Sequence, residues 1–273
     1  MSFFAILFAL LIDRLSTVPG VARVRAGNRR DPAELRSQVS ESTWGVRACA
    51  PSRDQPAGPP VDGRTSRPLP AVVSANPGFR FTTKVFRGFT HEKAALAATD
   101  IKAFRNYLDP LMEADRLGAV LIQFPWSFRN TPESRVKLVE LFEAFAEYPK
   151  ALEVRHATFQ EPQFYEFLEE HQVSWVNVDQ PLFDNSVKPA DTVTGPLAYA
   201  RFHGRNYEKW FAHQESWERY NYLYSERELE PWVERIEKMA KKKDTFVITN
   251  NHFRGQAILN AGDLKESLGQ DGN

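Results

Sequence analysis

A chain of 273 residues with 42% hydrophobic residues can bury one large core, and single domains of the barrel kind fill about 250 residues. Its 35 basic residues balance 35 acidic ones, which argues against a strongly nucleic-acid-directed chain and leaves room only for a local basic cleft. The one cysteine, Cys49, excludes an internal disulfide and a cysteine-based metal site, so the expected setting is cytoplasmic.

The chain opens on a ten-residue apolar run, Phe3 to Ile12, too short for a membrane helix of about 20 residues. No Lys or Arg precedes it and no small-x-small site follows, so it is a poor signal peptide and no membrane partner is expected. From there to residue 66 the sequence is rich in Arg, Pro, Ser, Ala and Gly and shows neither helix nor strand period. After Arg67 the pattern turns regular. A strand at 79–85 leads through Thr90 and His91 to a helix at 99–116, a strand at 118–124 and a helix at 132–147 that Thr131 caps and Pro132 opens. Strand 151–155, helix 162–170, strand 174–179, a loop with Pro181 and Pro189, strand 197–203, helix 228–242, strand 245–250 and helix 255–268 follow. Strand, loop and helix in repetition predict a parallel sheet covered by helices.

Each strand stops at a polar cluster: Lys84; Gln123 with Phe124; Glu153, Arg155 and His156; Asp179 and Gln180; Arg201, His203, Arg205 and Asn206; Asn250, Asn251 and His252. Alternate residues on a strand face opposite sides, so Arg80, Thr82 and Lys84 share a face, as do Glu153 and Arg155, Asn177 and Asp179, and Tyr199, Arg201 and His203. The interleaved residues are mostly apolar and belong under the helices. The polar face then points into a closed barrel that opens at the C-terminal strand ends. A doubly wound sheet needs apolar residues on both faces of its central strands, so a TIM-type (β/α) barrel is the expected α/β fold.

The runs FRFTTKVFRGFTHE, VLIQFPWSFRNT, LEVRHATF, WVNVDQP, YARFHGRN, YNYLYSERELEPWVERI and FVITNNHFRGQAILNA, in this order, resemble the YecE-like family, also called DUF72. The likeness covers about residues 67–268 and implies a TIM-type barrel domain there, followed by a short tail at 269–273, without an established activity. Members of that family open on a Gly-Thr-Ser-Gly-Trp type strand and a Glu-Ile-Asn…Phe-Tyr type strand, and neither can be found in residues 1–66. Six of eight βα units are therefore legible. Loss of the first two strands would leave both sheet edges exposed.

Among the strand-end residues HGRN, at 203–206, stands where barrel loops often grip phosphate. Gly204 permits close approach, Arg205 offers bidentate contact, and His203 can move a proton; the plainer alternative pairs Arg201 and His203 with Glu153 or Asp179 as buried ion networks. Glu153, Asp179 and His203 are the candidate acid/base groups. Lys84, Gln123, Arg155, Arg201, Arg205, Asn206, Asn250 and Asn251 are the candidate binding residues. A metal is not expected: Glu153, Asp179, His203 and His252 lack diagnostic spacing, and Lys84, Arg155, Arg201 and Arg205 would repel a cation. No cofactor is expected either, because no P-loop, dinucleotide fingerprint or nucleophile elbow is present. Aromatics at Trp126, Phe128, Tyr207, Trp210, Phe211, Trp217, Tyr220, Tyr222 and Tyr224 either stack on a ligand or pack loops onto the scaffold.

Three readings stay open: an enzyme of hydrolase or isomerase type on a phosphorylated or sugar-like small molecule, a nucleic-acid-binding barrel, and a non-functional truncated copy. The favoured account of residues 1–66 is a shifted reading frame or a misassigned start. An alternative frame in the adjoining nucleotide sequence is then expected to encode the two absent strand motifs, and a gene without such a frame sinks the idea.

Overall fold

The computed structural model describes residues 6–8, 10–12, 79–92, 96–215 and 217–269. The expected domain start at Arg67, the tail after Gly269 and all but two short pieces of residues 1–66 lie outside the described residues. No helix among the described residues is long and apolar enough to cross a membrane.

Six strands form the frame: β3 (Phe81–Lys84), β4 (Leu117–Gln123), β5 (Lys150–Glu153), β6 (Val173–Asp179), β7 (Ala198–Phe202) and β8 (Thr245–Thr249). Each pairs in parallel with the next, in chain order. The sheet curls into a half-barrel, and one hydrogen bond reports the curl: the Tyr199 hydroxyl on β7 donates to Thr82 Oγ1 on β3 at 3.1 Å, with three strands between them in the sheet order. The expected bare edges are corrected. A strand β1 (Ile6–Phe8) pairs antiparallel with β3, and β2 (Leu10–Ile12) pairs antiparallel with β8. The apolar run at the start of the chain thus gives both edges hydrogen-bonding neighbours.

Helices α1 (Arg87–His91), α2 (Ala98–Glu113), α3 (Pro132–Ala144), α4 (Pro162–Glu170), α5 (Glu226–Ala240) and α6 (Gln256–Ser267) link and cover the strands. Their ends follow local chemistry. Thr131 Oγ1 accepts from the Ser134 amide at 3.3 Å with Pro132 at the first helical position. Glu228 reaches back to the Ser225 amide at 2.9 Å in a capping box that starts α5. Beyond the C-terminus of α3, buried Lys150 donates to the carbonyls of Phe145, Ala146 and Tyr148 at 3.1–3.2 Å and so ties helix end to strand start.

Two apolar layers result. Inside the curl sit Ala119, Leu121, Ala151, Val176, Val178, Leu197, Tyr199, Phe246 and Ile248. Outside, Ala198, Ala200, Phe202 and Val247 pack against Leu229, Trp232, Ile236, Met239 and Leu264. The parity expectation holds for β5 and β7 and is reversed on β6. Val176 and Val178 face inward, whereas Asn177 and Asp179 face the helices. Asn177 exchanges hydrogen bonds with the Thr192 backbone at 2.8 and 3.0 Å. Asp179 accepts from Trp232 Nε1 at 2.6 Å, from the Tyr224 hydroxyl at 2.7 Å, and from Arg205 Nε and Nη2 at 2.9 and 2.6 Å. A polar residue can lie under a helix when every lone pair is met, and that is why alternation alone misplaced these two.

Asp179 therefore anchors α5 and the 204–224 loop to the sheet. Asp179→Ala is expected to lower stability by about 3–5 kcal/mol, because it strands a guanidinium, an indole N–H and a buried hydroxyl; urea denaturation checks this. An unchanged midpoint would contradict the structural role.

Candidate functional site

The inward residues that end β4, β5, β7 and β8 meet at one carboxylate. Glu153, fully buried, accepts from Arg155 Nη2 at 2.8 Å and lies 3.0 Å from His203 Nε2 through Oε1, and accepts from Arg201 Nη1 at 2.6 Å through Oε2. Arg201 also donates to Gln123 Oε1 at 2.8 Å and to Asn250 Oδ1 at 3.1 Å. Arg155 donates to Gln180 Oε1 at 2.9 Å. Asn250 Nδ2 stands 3.1 Å from His203 Nδ1. A neutral imidazole with its hydrogen on Nε2 donates to Glu153 and accepts from Asn250, with Arg155 Nη2 also 3.1 Å from Nε2.

Charge states follow from this packing. Burial pushes the Glu153 carboxyl up, but Arg201, His203 and Arg155 together outweigh it and hold the group well below the usual carboxylate range. Burial and the Arg155 guanidinium push His203 down to about 3. Lys84, at the end of β3, is lowered to about 8 by burial, with Glu153 opposing and Arg201, Arg155 and Arg87 reinforcing the shift. His91, on α1, is lowered to about 4 by burial and then by Lys84 and Arg87. Lys84 ends β3 on the face that Thr82 shares, whose hydroxyl meets Tyr199 inside the curl, and it lies within electrostatic reach of Glu153, Arg155 and Arg201.

A roof comes from the aromatic loop between β7 and α5. The Arg155 guanidinium lies 5.4 Å from the Trp210 ring centre, and the Tyr220 ring is 6.3 Å from His203 and 5.3 Å from His252. The other aromatics mostly pack: Trp217 stacks on Phe253 at 4.1 Å, Phe128 on Phe124 at 3.8 Å, and Trp126, Phe183, Tyr207 and Phe211 form a surface group.

Of the expected residues, Lys84, Gln123, Glu153, Arg155, Arg201, His203 and Asn250 come together. Four do not. Asp179 lies on the helix side of the sheet. Arg205 is held by Asp179, whose hydrogen bonds raise its pKa, and is therefore already neutralised rather than poised for a ligand. Asn206 donates to the Glu218 and Asn221 carbonyls, and Asn251 donates to the Tyr222 carbonyl and to Asn260, each at 2.8 Å. Both bind loop to scaffold. Gly204 is where the sequence implied close backbone approach, but what approaches is the protein: φ is +85° and a Cβ there would fall 2.7 Å from Tyr222 Cβ. Gln180 and His91 were missed as site residues. Gln180 has the inward parity of Val176 and Val178, a signal hidden by the misread face of β6. His91 has no periodic signal, since it belongs to a five-residue helix.

No group of three or more His, Cys, Asp or Glu side chains suited to a metal occurs among the described residues. Glu153 and His203 share guanidinium neighbours, which would oppose a cation.

Parallel strands and flanking helices define an α/β half-barrel with polar residues gathered at the C-terminal ends of its strands. Residues 72–273 match the family described as "Protein of unknown function DUF72", and the chain belongs to the DUF72 family. It is 30% identical over 208 residues to UPF0759 protein YunF of Bacillus subtilis strain 168, spanning 70% of this chain and 73% of that protein. Similar solved structures include a DUF72 family protein of Thermotoga maritima MSB8, 36% identical over 72% of this chain and 76% of its own, with a TM-score of 0.68. Another is a DUF72 family protein of Enterococcus faecalis V583, 32% identical over 72% and 77%, with a TM-score of 0.65.

His203 sets a pH dependence. Unfolding releases a ring that protonates near 6.5, whereas the folded ring stays neutral down to about 3. The unfolded state binds more protons in that window, so stability falls as pH drops below about 6.5. His203→Gln is expected to reduce the slope between pH 6 and pH 4 by about one proton, roughly 1.4 kcal/mol per pH unit, in denaturant titrations at several pH values. An unaltered slope would show the ring to be protonated in the fold.

Proposed function

We propose that the strand-end mouth binds a small anionic, oxygen-rich molecule, phosphorylated or polyhydroxylated. The observation that carries this reading is a charge mismatch: Arg155 and Arg201 bind a single carboxylate, Glu153, whose two oxygens are already taken, and Lys84 at the end of β3 adds a third positive charge within its electrostatic reach. Gln180 Nε2 and Arg201 Nε, both buried, have no partner among the described residues, so N–H donors exceed acceptors. An anion with several oxygens matches such a surplus.

On this reading Glu153 and His203 are positioning residues. A carboxylate held ionised by two guanidiniums is a weak base, and an imidazole lowered to about 3 is a poor acid near neutrality. The group that titrates near working pH is Lys84. The fold that goes with this function is a TIM-type barrel whose last six βα units are the described ones, with the family's first two strands absent, and the single cysteine accords with a cytoplasmic setting.

Thermal melts with inorganic phosphate, sugar phosphates and short oligonucleotides test it. A phosphate ester is expected to raise Tm, by a stabilisation of about 2.7 kcal/mol at a hundredfold excess over Kd. The effect should weaken as pH rises through about 8, where Lys84 loses its charge, and Lys84→Met should remove that step. Stabilisation by oligonucleotides alone, falling steeply with salt, would transfer the site to nucleic acid.

A further inference from the structure

Lys84 differs from the other cations at the strand ends. Arg155 and Arg201 are fixed by carboxylate, amide and aromatic neighbours. Arg205 is fixed by Asp179. Lys84 Nζ has no hydrogen-bond or ion-pair partner among the described residues. It sits at the C-terminal end of β3, on the face of Thr82, whose hydroxyl meets Tyr199 inside the curl. Its backbone is held in register with Leu121 of β4, so the amine is presented from a rigid strand rather than a loop.

We propose that Lys84 is an amine nucleophile that condenses with the carbonyl carbon of an anionic aldehyde or ketone, the anion being held by Arg155 and Arg201. This rests on the anion-site reading and adds to it the class of substrate: a phosphorylated carbonyl compound. The amine attacks the carbonyl carbon and a C–N bond forms. The C–O bond then breaks and the oxygen leaves as water, carrying two of the three ammonium protons, while the iminium nitrogen keeps one proton and the positive charge. Nothing is oxidised or reduced. Burial, helped by like-charge neighbours, keeps a useful fraction of the amine unprotonated near neutrality, and the iminium once formed withdraws electrons from the adjoining C–H or C–C bond, as an isomerase or an aldol-type reaction requires. The cations that suppress protonation are the same ones that would hold the anion.

Borohydride trapping on the full chain tests the proposal, with pyridoxal 5′-phosphate as the phosphorylated aldehyde and pyridoxal as its uncharged counterpart. After reduction near pH 7.5, peptide mapping is expected to find the adduct on Lys84 in at least about tenfold excess over exposed lysines such as Lys241 and Lys242. Inorganic phosphate should suppress it, and pyridoxal should label it far more weakly. Lys84→Arg keeps the charge and loses the nucleophile, so it should still be stabilised by phosphate and yield no adduct at the mouth; should that variant fail to fold, mapping of the natural chain decides alone. Adducts spread evenly over exposed lysines, with phosphate still raising Tm, would overturn the amine role and leave the anion site standing. Equal labelling of Lys84 by both aldehydes, without competition from phosphate, would keep the amine and overturn the anion site.

Discussion

Glu153 holds the mouth of this half-barrel together. A lone carboxylate with no exposure to solvent is costly, and here it survives because two guanidiniums and an imidazole donate to it from the segment just after β5, from β7 and from the residue after β7. The same bonds order the donors. Arg201 cannot leave Glu153 without also leaving Gln123 on β4 and Asn250 after β8, so one acidic side chain fixes the relative positions of four strand ends. Buried ion clusters of this kind contribute little net stability. Their effect is geometric, in holding long flexible side chains in one arrangement.

The sheet keeps two kinds of polar interior apart. Inside the curl, charge gathers at the strand ends above an apolar plug of Leu121, Ala151, Val176, Val178 and Ile248. Beneath the helices, Asp179 and Asn177 make a second polar group that touches Trp232, Tyr224, Arg205 and the Thr192 backbone. The first leaves donors over. The second meets its acceptors fully and closes on itself. Aspartate at a strand end is thus no sign of chemistry until the face of its strand is known, and β6, buried along its whole length, has no exposed residue to disclose that face.

This explains how much could be read from the residues. The six parallel strands and the helices between them were legible because their apolar periods differ and because turns and caps such as Thr131 with Pro132 mark the boundaries. Lys84, Glu153, Arg155, Arg201 and His203 were legible because Glu153 with Arg155, and Arg201 with His203, keep strand parity up to the last residue. Asp179, Arg205, Asn206 and Asn251 were misplaced because each is held by side chains or carbonyls of other segments, Asp179 by Trp232 and Tyr224, Arg205 by Asp179, Asn206 by Glu218 and Asn251 by Asn260, and a single sequence does not disclose such pairing. The pairing of the initial apolar run with β3 and β8 was hidden for the same reason: a short apolar stretch carries no record of which edge it meets.

Counting acceptors at the mouth shows why its residual charge cannot be settled internally. Glu153 offers two oxygens, and both are engaged by guanidinium groups. Gln123, Gln180 and Asn250 each spend their amide oxygen on a guanidinium as well. Among the described residues no carboxylate bonds Lys84: burial weighs most against its ammonium, the field of Glu153 favours it, and the fields of three arginines oppose it. The protein lowers that electrostatic cost in the one way open to it, by releasing the proton more easily than an exposed lysine would. A bound anion would lower it in the other way, by supplying the absent charge. The two responses are linked: whatever anion enters raises the proton affinity of Lys84, and a carbonyl that consumes the free amine keeps the positive charge in place as an iminium, so the anion remains bound while the bond is made.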